Sequence, residues 1–568
     1  MQINESKTGA YPPEIAASTP DEKNRQTEAG RQMLDRLKQA VRDGEKEFRI
    51  PAGDYRFPGK TGILLEEISD FSIDAAGATF WFTSDVCHAI ILRNCRNLGF
   101  SGATLDIDGL PFLQGTVEVV DRPGKFLIVE LDEYFMRRYR EESAHELFRV
   151  MFLTPDGMLE TDNLDFLPTR HDVKPVGENR LRIAVHDPVA DHWEHQLRPP
   201  QPGDRILLGI RRLGGMLFIE SCGDMRFDSI TVHASPGFAF FETGCGDGGN
   251  HYRNCRLIRR PGTNRLLASS ADCFHSRNQR RGPLVEECEF SWAMDDFVNI
   301  HGYFNVILEC TAPDELLMAT PFGTRFEVGS ELTFFSSPYG FEKCRAQVRD
   351  LQLLPGTGNE GEQRIKRIYR EKFGIDLHQF PDCCLCRVKL DRPIDVSPAD
   401  FANSYDACGR GAVLRNNYLH DGHVRGILLK SIDCRIEGNR IERIALSGII
   451  LKPEFFWLEG PMPRRIRVTD NLLTDCGFNY SGVAAILVMN CCYLPPCDRF
   501  TAAVNSEEIS IAGNVIEHCN SGPGIVIANC RIPRVCGNRI NHPFSNRKAL
   551  NQDRKSTRLN SSHDQISY

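Results

Sequence analysis

Three carboxylic acids and two imidazoles crowd one short span: Ala271-Asp272-Cys273-Phe274-His275, then Met294-Asp295-Asp296, then His301-Gly302. Grouped carboxyls suit acid–base hydrolysis of a glycosidic bond, in which one protonates the leaving oxygen and another activates water. Asp272 and Asp295 stand 23 residues apart (272 to 295). That is about one coil of a parallel β-helix, whose stacked repeats run to roughly 20–30 residues. A residue one coil on lies above its predecessor at the roughly 4.8 Å spacing of neighbouring strands. The offset therefore predicts Asp272 beside Asp295 and Asp296. In an extended strand Asp295 and Asp296 would point to opposite faces, so both serve only where the strand ends or bulges. An acidic pair more often marks a solvated turn. Here the apolar flanks Phe290, Trp292, Met294, Phe297, Val298 and Ile300 argue for function, because charge in an apolar strand is costly unless it is paired.

Other side chains are candidates for holding a substrate. His301 and His275 could bond a sugar hydroxyl or tune a carboxyl; a satisfied structural histidine is the competing reading. Arg277, Arg280 and Arg281 follow Asp272 in an expected loop, where they could grip an anionic sugar or be merely solvated. Lys452-Pro453-Glu454-Phe455-Phe456-Trp457-Leu458-Glu459-Gly460-Pro461 interrupts a coil. Glu454 and Trp457 are the candidates there, Trp457 as a stacking platform for a pyranose face.

The elements that must position these residues read as an all-β chain. An amphipathic helix is expected from Gly30 to Val41, with Leu34, Leu37 and Val41 on one face and Gly44 ending it. Such a helix suits the lid of a solenoid. A repeat follows near the C-terminus: Asn417-Tyr418-Leu419, Gly438-Asn439-Arg440-Ile441, Asp470-Asn471-Leu472-Leu473, Gly513-Asn514-Val515-Ile516 and Gly537-Asn538-Arg539-Ile540. Asn tolerates left-handed corners and can ladder by side-chain hydrogen bonds. The pattern predicts a right-handed parallel β-helix, the hand favoured for parallel crossovers. Two stretches of alternating strands with hairpin-like gaps predict small antiparallel insertions of barrel type. The expected plan is a flexible leader over 1–28 and a cap with the first coils over 29–112. An inserted β domain over 113–212, central coils with the carboxylates over 213–310, and a second inserted β domain over 311–408 follow. The C-terminal coils occupy 409–552, and 553–568 resembles a translated sequencing-adapter remnant.

Bulk composition narrows the class. The 568 residues exceed one ordinary globular core, so several domains or an elongated repeat are expected. Net charge −8 gives no basic field for nucleic acid. No apolar run is long enough for a membrane span. Met1 to Lys7 lacks the apolar core of a secretory signal, which points to the cytoplasm unless the N-terminus is incomplete. The 21 cysteines, an odd number, read as small buried thiols of a repeat core and not as a disulfide framework. Cys383, Cys384 and Cys386, and Cys491, Cys492 and Cys497, lack the paired spacing of a structural zinc site, so no metal and no cofactor is expected.

At these residues the chain resembles glycoside hydrolase family 110, the α-1,3-galactosidases. The likeness covers most of residues 29–550. It is most specific at Ala271-Asp272, Met294-Asp295-Asp296, Asn299-Ile300-His301-Gly302 and the Pro453–Pro461 loop. Cys273 and Phe297 depart from the small residues usual at their positions. The resemblance implies an inverting β-helix enzyme with small β-barrel insertions that removes terminal α-linked galactose. It also implies that Asp272, Asp295 and Asp296 are the catalytic carboxylates, and that the partner is a glycan, with no nucleic acid or membrane. Acid, base and oligomeric state stay unassigned. Two alternatives stand beside it. One is a polygalacturonase-like hydrolase of acidic glycans, using the three arginines. The other is a non-catalytic glycan-binding β-helix.

Overall fold

Short strands separated by tight corners wind through three long parallel sheets, of 12, 11 and 11 strands, in the computed structural model. It describes residues 19–543 except 84, 142–147, 160–170, 186–198, 211–213, 245, 324, 338, 355–357, 375–382, 478–482, 491–500 and 520–521. Each coil gives one strand to each sheet. The coil His251–Arg253, Arg256–Leu257, Phe274–Arg277 is followed by Leu284–Glu286, Glu289–Ser291, Val298–Tyr303, and that by Val413–Arg415, Tyr418–Gly422, Ile427–Lys430. The chain is a parallel β-helix. Alternating residues point inward and stack on their equivalents, as Phe227 does on Tyr252 with ring centroids 4.8 Å apart. Ile427–Lys430 and Ile449–Leu451 are buried at every position, the pattern of strands covered on both faces.

The asparagine repeat forms a continuous ladder. Side-chain amides of Asn417, Asn439, Asn471 and Asn514 each donate to the side-chain oxygen of the next asparagine, at 2.8–2.9 Å, ending on Asn538. The same oxygens accept the backbone N–H of the preceding member. The left-handed corner lies one residue earlier, at Asn416, Gly438, Asp470, Gly513 and Gly537. The ladder asparagine is thus the residue turned inward by the corner and does not itself occupy the left-handed region. Cys255 and Cys288 precede Asn417 in the same column, and the Cys288 N–H donates to Asn417 Oδ1. The described cysteines are free thiols. Cys383 and Cys386 pack in different cores, so the Cys383–Cys386 group does not converge. Cys491, Cys492 and Cys497 lie outside the described residues.

The N-terminal helix runs from Pro20 to Arg42, well upstream of the span its apolar spacing predicts. Thr19 caps it by accepting the Glu22 N–H, Pro20 opens the first turn, and Asp21 and Glu22 favour the positive end of the helix dipole. Residues 20–28 are therefore helix and not leader; their polarity reflects an exposed helix, while 1–18 lie outside the described residues. Met33, Leu37 and Ala40 close the first coil. The first interruption is a six-stranded antiparallel sheet, with Phe148–Leu153 at one edge and Val173–Pro175 at the other. The second closes into a six-stranded barrel that begins at Asn305–Ala312 and ends at Phe401–Ser404. It starts before residue 311, because the chain runs from the wall strand Val298–Tyr303 almost directly into the barrel. No described helix is long and apolar enough to cross a membrane.

Candidate active site

Phe274 pairs with Val298, and Val298 with Ile427, on three successive rungs of the third sheet. This stacks Asp272, Asp296 and Arg425 in one column just ahead of the strands. The Cys273 N–H donates to Asp296 O and the Phe297 N–H to Arg425 O, both at 3.0 Å. The coil step is one residue longer than the 272-to-295 offset, so Asp272 is in register with Asp296 and not with Asp295. Asp295 joins them because Met294–Phe297 is a bend and not extended strand, which lets adjacent side chains share a side. One oxygen from each of Asp272, Asp295 and Asp296 lies within 4.8 Å of the others. The three residues are 3%, 8% and 1% exposed.

Two guanidinium groups complete the cluster. Arg425 grips Asp296 with two hydrogen bonds, 2.6 and 2.9 Å, and reaches Glu454 at 2.6 Å. Arg149, from the edge strand of the first inserted sheet, lies 2.6 Å from Asp295. Three carboxylates are donors that suit a hard cation; here arginines already stand on two of them. Gly426 lets this corner pack, because a Cβ there would sit 2.3 Å from Gly448 O.

A second group of charges borders the first. Gly302 pairs antiparallel with Gly460, pressing the 453–461 loop against the site strand. A Cβ on Gly302 would meet Ala407 O at 2.5 Å, and one on Gly460 the Phe304 ring at 2.7 Å. Glu454 and Glu459 exchange backbone hydrogen bonds of 2.9 Å across the turn Phe455–Trp457, and both project inward. Lys430 bridges them, 3.0 Å from Glu454 and in contact with Glu459, and donates to Asn299 Oδ1 at 3.1 Å. His275 Nδ1 meets Asp272 Oδ2 at 2.7 Å, and its Nε2 meets His301 Nε2 at 3.1 Å. His301 Nδ1 lies 2.8 Å from Gly302 O, and its Nε2 is 3.6 Å from Glu459.

Burial sets the protonation of these groups. It pushes Asp296 well above the carboxylate range, against Arg425 and with help from Asp295 and Asp272. The direction expresses the crowding of three buried carboxyls, which disfavours charge on all of them at once. Glu454 goes the other way; against burial, Arg425 and then Lys430 hold it well below its ordinary value. Burial would lower Lys430, but Glu454 and Glu459 raise it. His275 and His301 are each pushed down to about 3, chiefly by burial, so both imidazoles are neutral at pH 7.

The structure thus brings Asp272, Asp295, Asp296, His275, His301 and Glu454 into one network. Both ring nitrogens of the fully buried His301 are engaged, which leaves none for a sugar hydroxyl. Arg277 lies at the edge, over Phe322 at 4.0 Å and Phe241 at 4.9 Å, bonding Thr243 and Tyr303. Arg280 and Arg281 turn away, to Glu327 and Asp224. Trp457 is 42% exposed on the turn that carries Glu454. Sequence reasoning missed Arg149, Arg425, Lys430 and Glu459 as site residues. Arg425 and Lys430 stand on the next rung, but the inserted barrel puts that rung 129 residues on, where the 24-residue coil step does not reach. Glu459 stood in the loop already singled out. Nothing local signals Arg149, which arrives from the antiparallel insertion.

Comparison with known proteins adds remote relatives. The chain is 24% identical over 418 residues to alpha-1,3-galactosidase B of Akkermansia muciniphila, covering 71% of this chain and 48% of that protein. It is 24% identical over 272 residues to alpha-1,3-galactosidase B of Bacteroides thetaiotaomicron, covering 46% and 42%. It is 23% identical over 455 residues to alpha-1,3-galactosidase A of Bacteroides fragilis, covering 76% and 67%. The chain therefore spans about half the length, or less, of the first two. No family model matches it. Among solved structures, the mannuronan C-5 epimerase A-module of Azotobacter vinelandii aligns at TM-score 0.39 and 10% identity, covering 90% of this chain and 91% of that one. A family 28 exopolygalacturonase of Yersinia enterocolitica aligns at TM-score 0.37 and 11% identity, covering 88% and 67%.

Proposed function

We propose that this chain is a glycoside hydrolase that removes a terminal α-linked galactose with inversion. The observation that carries the reading is the meeting of three buried aspartate oxygens within 4.8 Å, with arginines on two of the carboxyls. One carboxyl protonates the departing glycosidic oxygen while another takes a proton from the attacking water. The raised Asp296 carboxyl favours the acid form without an acidic medium. The galactose preference draws on the names of the remote relatives and on the resemblance at the same residues. A neutral sugar also fits the arginines, since Arg280 and Arg281 are already ion-paired and Arg277 is packed between two phenylalanines.

One observation favours a second stereochemical reading. Inverting carboxyl pairs stand roughly 6.5–9.5 Å apart and retaining pairs roughly 5–5.5 Å, and the closest oxygens here are nearer the second range. Proton NMR of the first-formed sugar from α-1,3-galactobiose or nitrophenyl α-galactoside decides. β-Galactose supports inversion and α-galactose supports retention. No release of galactose from any α-galactoside, with turnover of an acidic galactoside instead, overturns the substrate assignment.

A further inference from the structure

We infer that His275 and His301 form a proton relay that links the Asp272 carboxyl to Glu459 on the 453–461 loop. The inference rests on the hydrolytic reading for its purpose, but its geometry stands independently. The chain is anchored at a group that can only accept: the Gly302 carbonyl, 2.8 Å from His301 Nδ1. His301 Nδ1 therefore carries a hydrogen. If His301 is neutral, its Nε2 is a bare acceptor, so the hydrogen in the 3.1 Å contact belongs to His275 Nε2. A neutral His275 then has a bare Nδ1, and the 2.7 Å contact with Asp272 requires the carboxyl to be the donor. One proton thus resides on Asp272 in this form.

The same chain supports a second form with no change in composition. The Asp272 proton passes to His275 Nδ1 while the His275 Nε2 proton passes to His301 Nε2. One O–H and one N–H bond break, and two N–H bonds form. The result is an Asp272 carboxylate and a His301 imidazolium held by the Gly302 carbonyl and Glu459, 3.6 Å away. The charged neighbours divide between the two forms. Glu459 and Asp295 favour a charged imidazole; Lys430 and Arg277 oppose it. The remaining faces are aromatic: Phe238 at 4.4 Å and Phe241 at 5.3 Å against His275, and Tyr303 at 4.9 Å against His301. Burial favours the neutral pair, so the form with protonated Asp272 is the resting one.

A relay has a use here because each hydrolysis leaves the cluster with a proton on the wrong carboxyl. Asp272 itself is almost sealed from solvent, whereas the Glu459 side chain is somewhat more open. The relay changes Asp272 between acid and carboxylate without opening the site.

The test uses the full chain labelled with 15N-histidine. The expected spectrum at neutral pH shows His301 protonated at Nδ1 and His275 at Nε2. Asp272→Asn, whose amide donates as the acid does, should lock that pattern, and His301→Gln should shift the His275 nitrogens. His275→Gln reads the linkage from the other side, through His301. Nitrogen shifts that ignore all three substitutions overturn the relay. Kinetics give a second reading: His301→Gln should lower kcat at least about tenfold, raise its solvent deuterium isotope effect, and be partly restored by added imidazole. A loss that imidazole does not restore, with an unchanged isotope effect, assigns the histidines to structure alone. The nitrogen spectra need no turnover, so a protein that cleaves no glycoside but shows linked histidines refutes the hydrolase reading and leaves the relay standing.

Discussion

At the scale of single residues, the site is a set of charges whose burial makes each depend on its neighbours. Asp295→Asn and Asp296→Asn should each lower kcat by at least about 100-fold, the lower end of what general acid–base groups contribute. Each replacement keeps the shape of the carboxyl but removes the charge opposite a buried arginine, Arg149 or Arg425, so the melting temperature should fall while the protein stays folded. Activity near the parent value in both variants would remove these carboxyls from the mechanism. Stability should depend on pH through the two histidines. Their folded values of about 3 lie below the ordinary 6.5, so between those limits the unfolded chain binds more protons. Stability from this source is complete above about pH 6.5 and is lost as pH falls toward 3, at up to about 1.4 kcal/mol per pH unit per histidine. Melting temperatures from pH 7 to pH 4 should fall more steeply for the parent than for the His275→Gln/His301→Gln double variant. Much of this site was legible in the sequence: Asp272, Asp295, Asp296, His275, His301 and Glu454 were all marked by charge within apolar strands or loops. The one-residue error in register came from the bend at Met294–Phe297, a feature that hydrophobic pattern does not encode.

At the scale of elements, the corners of the coil determine what the strands can present. Asn471 accepts from the backbone and side chain of Asn439 and donates to Ile436 O and Asn514. Asn471→Ala should cost at least about 1–3 kcal/mol, the penalty of leaving such buried groups unpaired, and denaturant unfolding measures it. An unchanged midpoint would mean that water or a neighbour takes over the ladder. The asparagine spacings of 22, 32, 43 and 24 residues revealed this ladder directly, because loops lengthen a coil without changing its corner residue. The assignment of the left-handed conformation to the ladder residue missed by one position, since Asn, Gly and Asp are all permissive and often adjacent. The N-terminal helix extends beyond its apolar stripe for a related reason. Its first turns bury little, so capping and acidic residues mark them and hydrophobic spacing does not.

At the scale of the whole molecule, three structural units converge on one cluster of charges: the solenoid wall, the 453–461 loop, and the first inserted sheet through Arg149. That insertion is therefore part of the site as well as a surface elaboration. Arg149→Met should reduce kcat at least about tenfold by removing the cation beside Asp295, with the rest of the sheet intact by circular dichroism. Full activity would make the insertion dispensable to the chemistry. Long-range assembly of this kind was the least readable aspect of the sequence, because neither a register nor a motif connects residue 149 to residue 295. The barrel carries a different consequence. It is spliced between two adjacent rungs, so Asp296 and Arg425 touch although they stand 129 positions apart in the chain. Closing so large a loop is slow compared with pairing neighbours. During refolding, most of the wall can zip up locally while the carboxyl cluster still waits for Arg425. Recovery of turnover should accordingly lag the return of the far-ultraviolet signal, making competence the last property this protein acquires.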